Sequence, residues 1–209
     1  MKKVKNKTLA EQVYDELERR IVFCEIEPGS ILTEQGIANM LDVGRTPVRE
    51  ALLLLSKRYL VNISKAGIMV PQMNASLQMQ LLEVRRVILK LCIECAIKRL
   101  TEDDKKAINE LLNEIENYDE INFLSWLDKR QDVLAKASKN YFIYEELRNV
   151  QGISRRFWYR YAQNSQHDIV KEKHKNILKA VCQKNTEKAL EYVDDIIDYF
   201  ENFVKQYLI

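Results

Sequence analysis

All three prolines (Pro28, Pro47, Pro71) and four of the five glycines (Gly29, Gly36, Gly44, Gly67) lie within the first 71 residues. From Gln72 to Ile209 there is no proline and a single glycine, Gly152. A stretch of 138 residues so poor in turn-forming residues is not a sheet, because hairpins depend on them. It reads as helices joined by short polar connections. The chain therefore divides into residues 1–71, a linker over 72–75, and a helical part over 76–209. Hydrophobic residues make up 46%, enough for real cores, which excludes a disordered tail. No apolar run approaches the ~18 residues that span a bilayer. The basic start, Met1 to Lys7, meets Glu11 and Asp15 in place of the apolar stretch a secretory signal needs. Four cysteines in 209 residues are no disulfide framework. The expectation is a cytoplasmic protein with no membrane segment. Residues 1–75 carry 11 Lys and Arg against 9 Asp and Glu, and residues 76–209 carry 22 against 22. The whole excess of positive charge thus belongs to the first part.

Within that first part, Thr8 with Glu11 forms a capping box for a helix to about Phe23, and Leu9, Val13, Leu17 and Ile21 give its buried stripe. Glu27-Pro28-Gly29 is a turn, Ile31-Leu32 a short extended piece, and Thr33 caps a second helix through Leu41. Asp42-Val43-Gly44 is a tight turn, with positive φ expected at Gly44. A third helix is expected from Thr46, as a hydroxyl cap, with Pro47 at the first helical position, on to about Arg58. Leu60 to Ile63 and Ile68 to Val70 are β-prone, with Ser64-Lys65-Ala66-Gly67 as a hairpin tip. Three helices and a hairpin predict a winged helix-turn-helix, whose second paired helix enters the major groove by its N-terminal end. That end carries Arg45, Thr46 and Arg49. Arginine donates bidentately to guanine O6 and N7, whereas a hydroxyl and helix-start amides suit a phosphate. Lys65 at the tip reaches neighbouring phosphates or the minor groove. On the residues alone, arginines that merely solvate a helix remain the alternative.

The segments Val13-Tyr14-Asp15-Glu16-Leu17, Glu27-Pro28-Gly29, Leu32-Thr33-Glu34 and, above all, Val43-Gly44-Arg45-Thr46-Pro47-Val48-Arg49-Glu50-Ala51-Leu52 resemble the GntR family of bacterial transcription regulators. Leu60-Val61 and Gly67 continue the match. The family's usual wing has Arg-Gly where Ala66-Gly67 stand, so Lys65 supplies that charge here. The resemblance implies contact with double-stranded DNA through Thr33, Gln35, Arg45, Thr46, Arg49, Lys65 and Gly67. It implies a fold that is mainly α, a winged helix-turn-helix followed by an all-α helical bundle. Helices are expected at about 76–99, 102–117, 121–138, 141–163, 168–183 and 186–207, similar to the six-helix, VanR-like form of the FadR-like (FCD) sensing domain.

That branch holds a divalent metal on one Asp and three His, the first two four residues apart on one helix face. In this sequence Asp128 matches the Asp, Asp132 stands for the first His, His174 matches the second, and the third falls on Ile196. The resemblance thus implies a metal site of Asp128, Asp132 and His174, holding a weakly bound, oxygen-preferring divalent cation or none. An organic-acid effector is expected on Arg85, Asp128, Asp132, Asn140 and His174, with the planar fork of Arg85 suited to a carboxylate. A salt bridge to a neighbouring helix is the other reading of Arg85. His167 is expected at the surface, at a helix start. The aromatics of Arg155 to Tyr161 are expected in core or interface, with Phe157-Trp158 a contact for a second copy. Cys92 and Cys95 form a lone CxxC, short of the four ligands zinc takes. No catalytic motif is present, so an enzyme is not expected. The implied function is a homodimeric regulator of a palindromic operator, a repressor controlled by a small carboxylate, with a ligand-independent regulator as the alternative.

Overall fold

A computed structural model describes residues 7–65, 67–117, 120–162 and 164–208; Ala66 of the expected hairpin tip and the basic residues 1–6 lie outside them. Contacts group the chain into two compact units, Met1–Met73 with Gly152–Arg160, and Asn74–Gln151 with Tyr161–Ile209.

In the first unit the capping box of Thr8 and Glu11 starts α1 (Leu9–Val22), with the two reciprocal hydrogen bonds at 3.2 and 2.7 Å. Strand β1 (Ile31–Leu32) leads to α2 (Glu34–Leu41), and α3 (Arg45–Lys57) is followed by β2 (Asn62–Ser64) and β3 (Gly67–Met69). The three strands are antiparallel in the order β1-β3-β2, with Leu32 opposite Ile68 and Ser64 opposite Gly67. Val13, Leu17 and Ile21 of α1 pack with Val48, Leu52 and Leu55 of α3, Ile37 of α2, and Leu60, Val61 and Val70. Several of these side chains are fully enclosed, where truncation to alanine costs about 2–5 kcal/mol. The wing turns where it does because Gly67 has φ +129° and a Cβ there would lie 3.2 Å from Ile31.

Residues 152–160 complete this core. A Cβ on Gly152 would sit 2.9 Å from Leu60, which is fully buried, so the one glycine of the helical part marks a close approach. Ile153 packs on the same cluster, Phe23 meets Tyr159 edge-on at 5.1 Å, and Arg155 pairs with Glu18 at 3.3 Å. Phe157 and Trp158 are buried. They do not offer the surface for a second copy that their sequence had implied, because both are taken up by packing within the chain.

The second unit contains α4 (Ala75–Arg99), α5 (Glu102–Glu114) with a 3-10 turn over Ile115–Asn117, α6 (Glu120–Ala137), α7 (Tyr141–Tyr161) through Gln151, α8 (Asn164–Cys182) and α9 (Thr186–Leu208). Asn74, Thr101 and Asn140 cap α4, α5 and α7 with their side-chain oxygens. Helix α4 packs on α6 and α9, and α8 on α9. Arg86 of α4 fastens it to α9 through Asp194, Asp198 and Glu201 at 2.6–3.1 Å. Trp126 is fully buried and donates its indole N–H to the Leu111 carbonyl at 3.0 Å. No helix of the described residues is long and apolar enough to cross a membrane.

Candidate nucleic-acid interface and sensing core

The turn between α2 and α3 departs from expectation in a way that favours an anion. The left-handed residue is Asp42 (φ 52°, ψ 49°), whose backbone N–H donates to the Ala38 carbonyl, whereas Gly44 is extended at φ −71°. Aspartate is among the few non-glycine residues that visit this region readily. With Asp42 making the turn, Gly44 becomes the N-cap, the helix starts at Arg45, and Pro47 stands third. Thr46 is therefore not the cap. No side chain caps α3, so its first amides are left for an outside acceptor, at the positive end of the helix dipole.

Arg45, Thr46 and Arg49 are exposed at this end. Both arginines converge on Glu34 of α2: Arg49 Nε and Nη2 donate to its two oxygens at 3.0 and 2.9 Å, and Arg45 Nη2 donates at 3.1 Å. Hydrogen bonds from Arg49 and then Arg45 pull the Glu34 carboxyl down to about 2. Gln35 is exposed and donates to Asn39 Oδ1 at 2.8 Å. The Thr33 hydroxyl accepts from Gly36 N at 3.0 Å, so its first task is to start α2. Lys65 is exposed at the wing turn, one residue beyond the pairing of Ser64 with Gly67. The winged-helix unit thus presents the expected cationic residues on an uncapped helix start and a wing.

The expected metal set is not brought together. Asp128 is exposed, and Asp132 lies toward solvent and pairs with Lys136, while His174 is buried. The described residues contain no group of three His, Cys, Asp or Glu able to hold a metal. The reason is the rotation of α6. Asp128 and Asp132 do share a face, but the inward face is Leu127, Arg130, Gln131 and Leu134. One residue of register turns a side chain by about 100° on a helix. Leu127 and Leu134, seven apart, bracket the two polar residues at the i+3 and i+4 positions, and that was the available signal. Ile196 is buried as an ordinary core residue, and its neighbour Asp195 pairs with Lys173 at 2.5 Å. Asn140 serves as the α7 cap, accepting from the Phe142 and Ile143 amides at 3.0 and 3.3 Å. His167 is not at the surface; it is buried, with its ring 5.7 Å from Phe123. Cys92 is buried with its thiol toward the Leu134 carbonyl, and all four cysteines are free.

What the helices do enclose is positive. Arg85 of α4 donates to Gln131 Oε1 at 3.2 Å and to Gln151 Oε1 at 3.1 Å. The glutamines are anchored in turn, Gln131 Nε2 to the Leu147 carbonyl at 2.6 Å and Gln151 Nε2 to the Leu127 carbonyl at 3.3 Å. Arg130 is 0% exposed, and none of its three nitrogens has a hydrogen-bond partner. His174 Nδ1 is likewise buried without one. Burial lowers Arg85 to about 10; burial and the field of Arg85 lower Arg130 to about 9. Burial, then Arg130 and Arg85, press His174 well below its ordinary value. A divalent cation does not fit here: it would have His174 as its one imidazole and two guanidinium charges opposing it.

The first unit matches the model of bacterial regulatory proteins of the gntR family over residues 9–70, and residues 80–199 match the FCD domain. Among curated relatives, the transcriptional regulator McbR of Escherichia coli is 30% identical over 56% of this chain and 54% of its own length. The Bacillus subtilis regulator YdhC is 23% identical over 87% of this chain and 84% of its own. The gluconate operon repressor of Bacillus subtilis is 31% identical over 57% and 49%. The chain thus aligns with about half the length of McbR and of the gluconate repressor. In fold, it is similar to the E. coli McbR/YncC structure at TM-score 0.79 and 21% identity, covering 96% of this chain and 98% of that one. It is also similar to a Rhodococcus GntR regulator structure at 0.73 and 23%, covering 95% and 98%. An uncapped recognition helix beside a wing, joined to an FCD domain, places this chain in the GntR family of transcription regulators, in its FadR-like branch.

Proposed function

We propose that this chain is a homodimeric repressor that reads a palindromic operator and whose operator affinity is set by a small organic acid bound in the FCD domain. The observation that carries the DNA half is the start of α3, where uncapped amides, Thr46, Arg45 and Arg49 share one exposed end. One such helix reads a half-site of a few base pairs, so two copies and a dyad operator follow. A relative named a repressor supports that sign of control. The effector half rests on Arg85 and Arg130, two enclosed cations that no carboxylate of the described residues neutralises.

Footprinting on the DNA flanking its own gene tests the reading. A protected dyad, with half-sites one or more helical turns apart, is the expected result. Arg49→Ala should weaken that site by about 1–3 kcal/mol while circular dichroism stays unchanged, as for a bidentate base contact. Unchanged operator affinity in that variant would remove α3 from the reading role.

A further inference from the structure

Among the described residues the FCD core brings together no set of ligands for a metal, yet it buries two guanidinium groups, each within the field of the other. A buried charge costs several kcal/mol unless something pairs it, and an unpartnered donor adds to that cost. Arg130 has both liabilities with every guanidinium nitrogen unpartnered, and Arg85 beside it bonds only to neutral glutamine carbonyls. The Arg85–Gln131–Gln151 lattice ties α4, α6 and α7 together, so one of the two cations is held in place before anything binds. His174 closes the group from α8 with an unpartnered Nδ1, its ring 5.9 Å from that of Trp126. Protein cores do not retain such an arrangement for stability, since a hydrophobic residue of like volume at Arg130 is the more stable choice.

We infer that this core binds a compact oxyanion carrying two negative charges directly on the guanidinium groups of Arg130 and Arg85, with His174 completing the contact and no metal between ligand and protein. This deepens, and rests on, the reading of the FCD domain as the effector domain. Two guanidinium cations, with no facing carboxylate among the described residues, set the ligand charge at two near neutral pH. The planar forks set its chemistry, since they match the oxygens of a carboxylate or a phosphoryl group. The guanidinium pair takes over the anion-holding task that a metal would otherwise perform.

The test uses the full chain, freed of metal by EDTA, in thermal-shift and calorimetric titrations with succinate, inorganic phosphate and, as a monoanion, acetate. The expected result is stabilisation by succinate or phosphate at millimolar concentration, at least tenfold tighter than acetate and unchanged by EDTA. Which of the two dianions binds tighter separates the carboxylate source from the phosphoryl one. Arg130→Met should raise the melting temperature of the free protein and abolish the dianion shift, and Arg130→Lys should retain a weakened one. Failure of both dianions to stabilise the wild type, a requirement for added metal, or a free Arg130→Met protein less stable than wild type would each overturn the site. Operator titration in the same buffers separates the two readings. A dianion that binds through Arg130 without changing operator affinity retains the site and removes the effector role. An operator response that persists in Arg130→Met retains control and removes this site.

Discussion

His174 shows how a single residue reports the field around it. It faces Arg130 of α6 and Arg85 of α4, with Trp126 beside it and Cys92 next to Arg130. The two guanidinium charges and burial keep the imidazole neutral in the folded protein. An unfolded histidine takes up its proton near pH 6.5, whereas the folded one does so only well below. The stability that follows is therefore present above pH 6.5 and lost as pH falls beneath it, with a slope approaching ~1.4 kcal/mol per pH unit. Urea denaturation at pH 7.5 and 5.5 measures it, and His174→Gln should flatten the difference. A bound dianion opposes the two arginines and raises the histidine again, so its presence should reduce the acid sensitivity. The family resemblance set His174 and Arg85 in one expected site; it did not point to Arg130, the second cation that faces the imidazole.

At the scale of elements, helix existence was plain in the sequence and helix rotation was only faintly marked, in α6 by Leu127 and Leu134 alone. The expected helix over 76–99 is found at Ala75–Arg99, and that over 186–207 at Thr186–Leu208, with Asn74 and Asn185 capping their starts. The rotation of α6 escaped because five consecutive polar residues, Asp128 to Asp132, left no apolar contrast where the ligand face had to be chosen. The start of α3 escaped for a different reason. A threonine before a proline mimics a cap, but the turn had already been made by Asp42 in the left-handed region. Gly152 carries the converse lesson. Alanine in a helix interior usually gains up to about 1 kcal/mol over glycine. Here the added methyl would come within 2.9 Å of the fully buried side chain of Leu60, which must shift to admit it. Overpacking of this kind costs about 1–3 kcal/mol. Gly152→Ala should accordingly lower stability in chemical denaturation in place of raising it, and a gain would show that Leu60 yields.

At the scale of the whole molecule, the order of a winged helix-turn-helix followed by a helical FCD domain was legible in the sequence. Not legible was the membership of residues 152–160 in the first unit, since a helix gives no sign in sequence of where its packing partner changes. This matters for assembly. With Phe157 and Trp158 occupied, the apolar side chains left on α4 are Leu77, Val84, Val87 and Leu91. Their spacing of seven, three and four places them along one stripe, the pattern by which helices pair. Val87 is 68% exposed, so a charge there is harmless to a lone chain. Val87→Lys should leave thermal unfolding of the monomer unit unchanged and shift sedimentation toward the monomer, with loss of dyad binding. A variant that remains dimeric would move the two-fold contact elsewhere.

The clamp on the recognition arginines has a consequence for counting ions. A protein that neutralises phosphates releases condensed cations from DNA, and each phosphate contributes about 0.9 to the slope of affinity against salt. Arg45 and Arg49 add two to any tally made from sequence. Glu34 already lies between them with hydrogen bonds of 2.9–3.1 Å, so the three residues together carry one net charge. While that carboxylate stays in place, the cluster enters the ion stoichiometry as a single cation, and the recognition helix draws less on electrostatic attraction than its two arginines imply. In the proposed reading, the remainder of its affinity comes from contacts that salt screens less: hydrogen bonds from the uncapped amides and Thr46 to phosphate, and contacts to base edges. The latter alone distinguish one base pair from another.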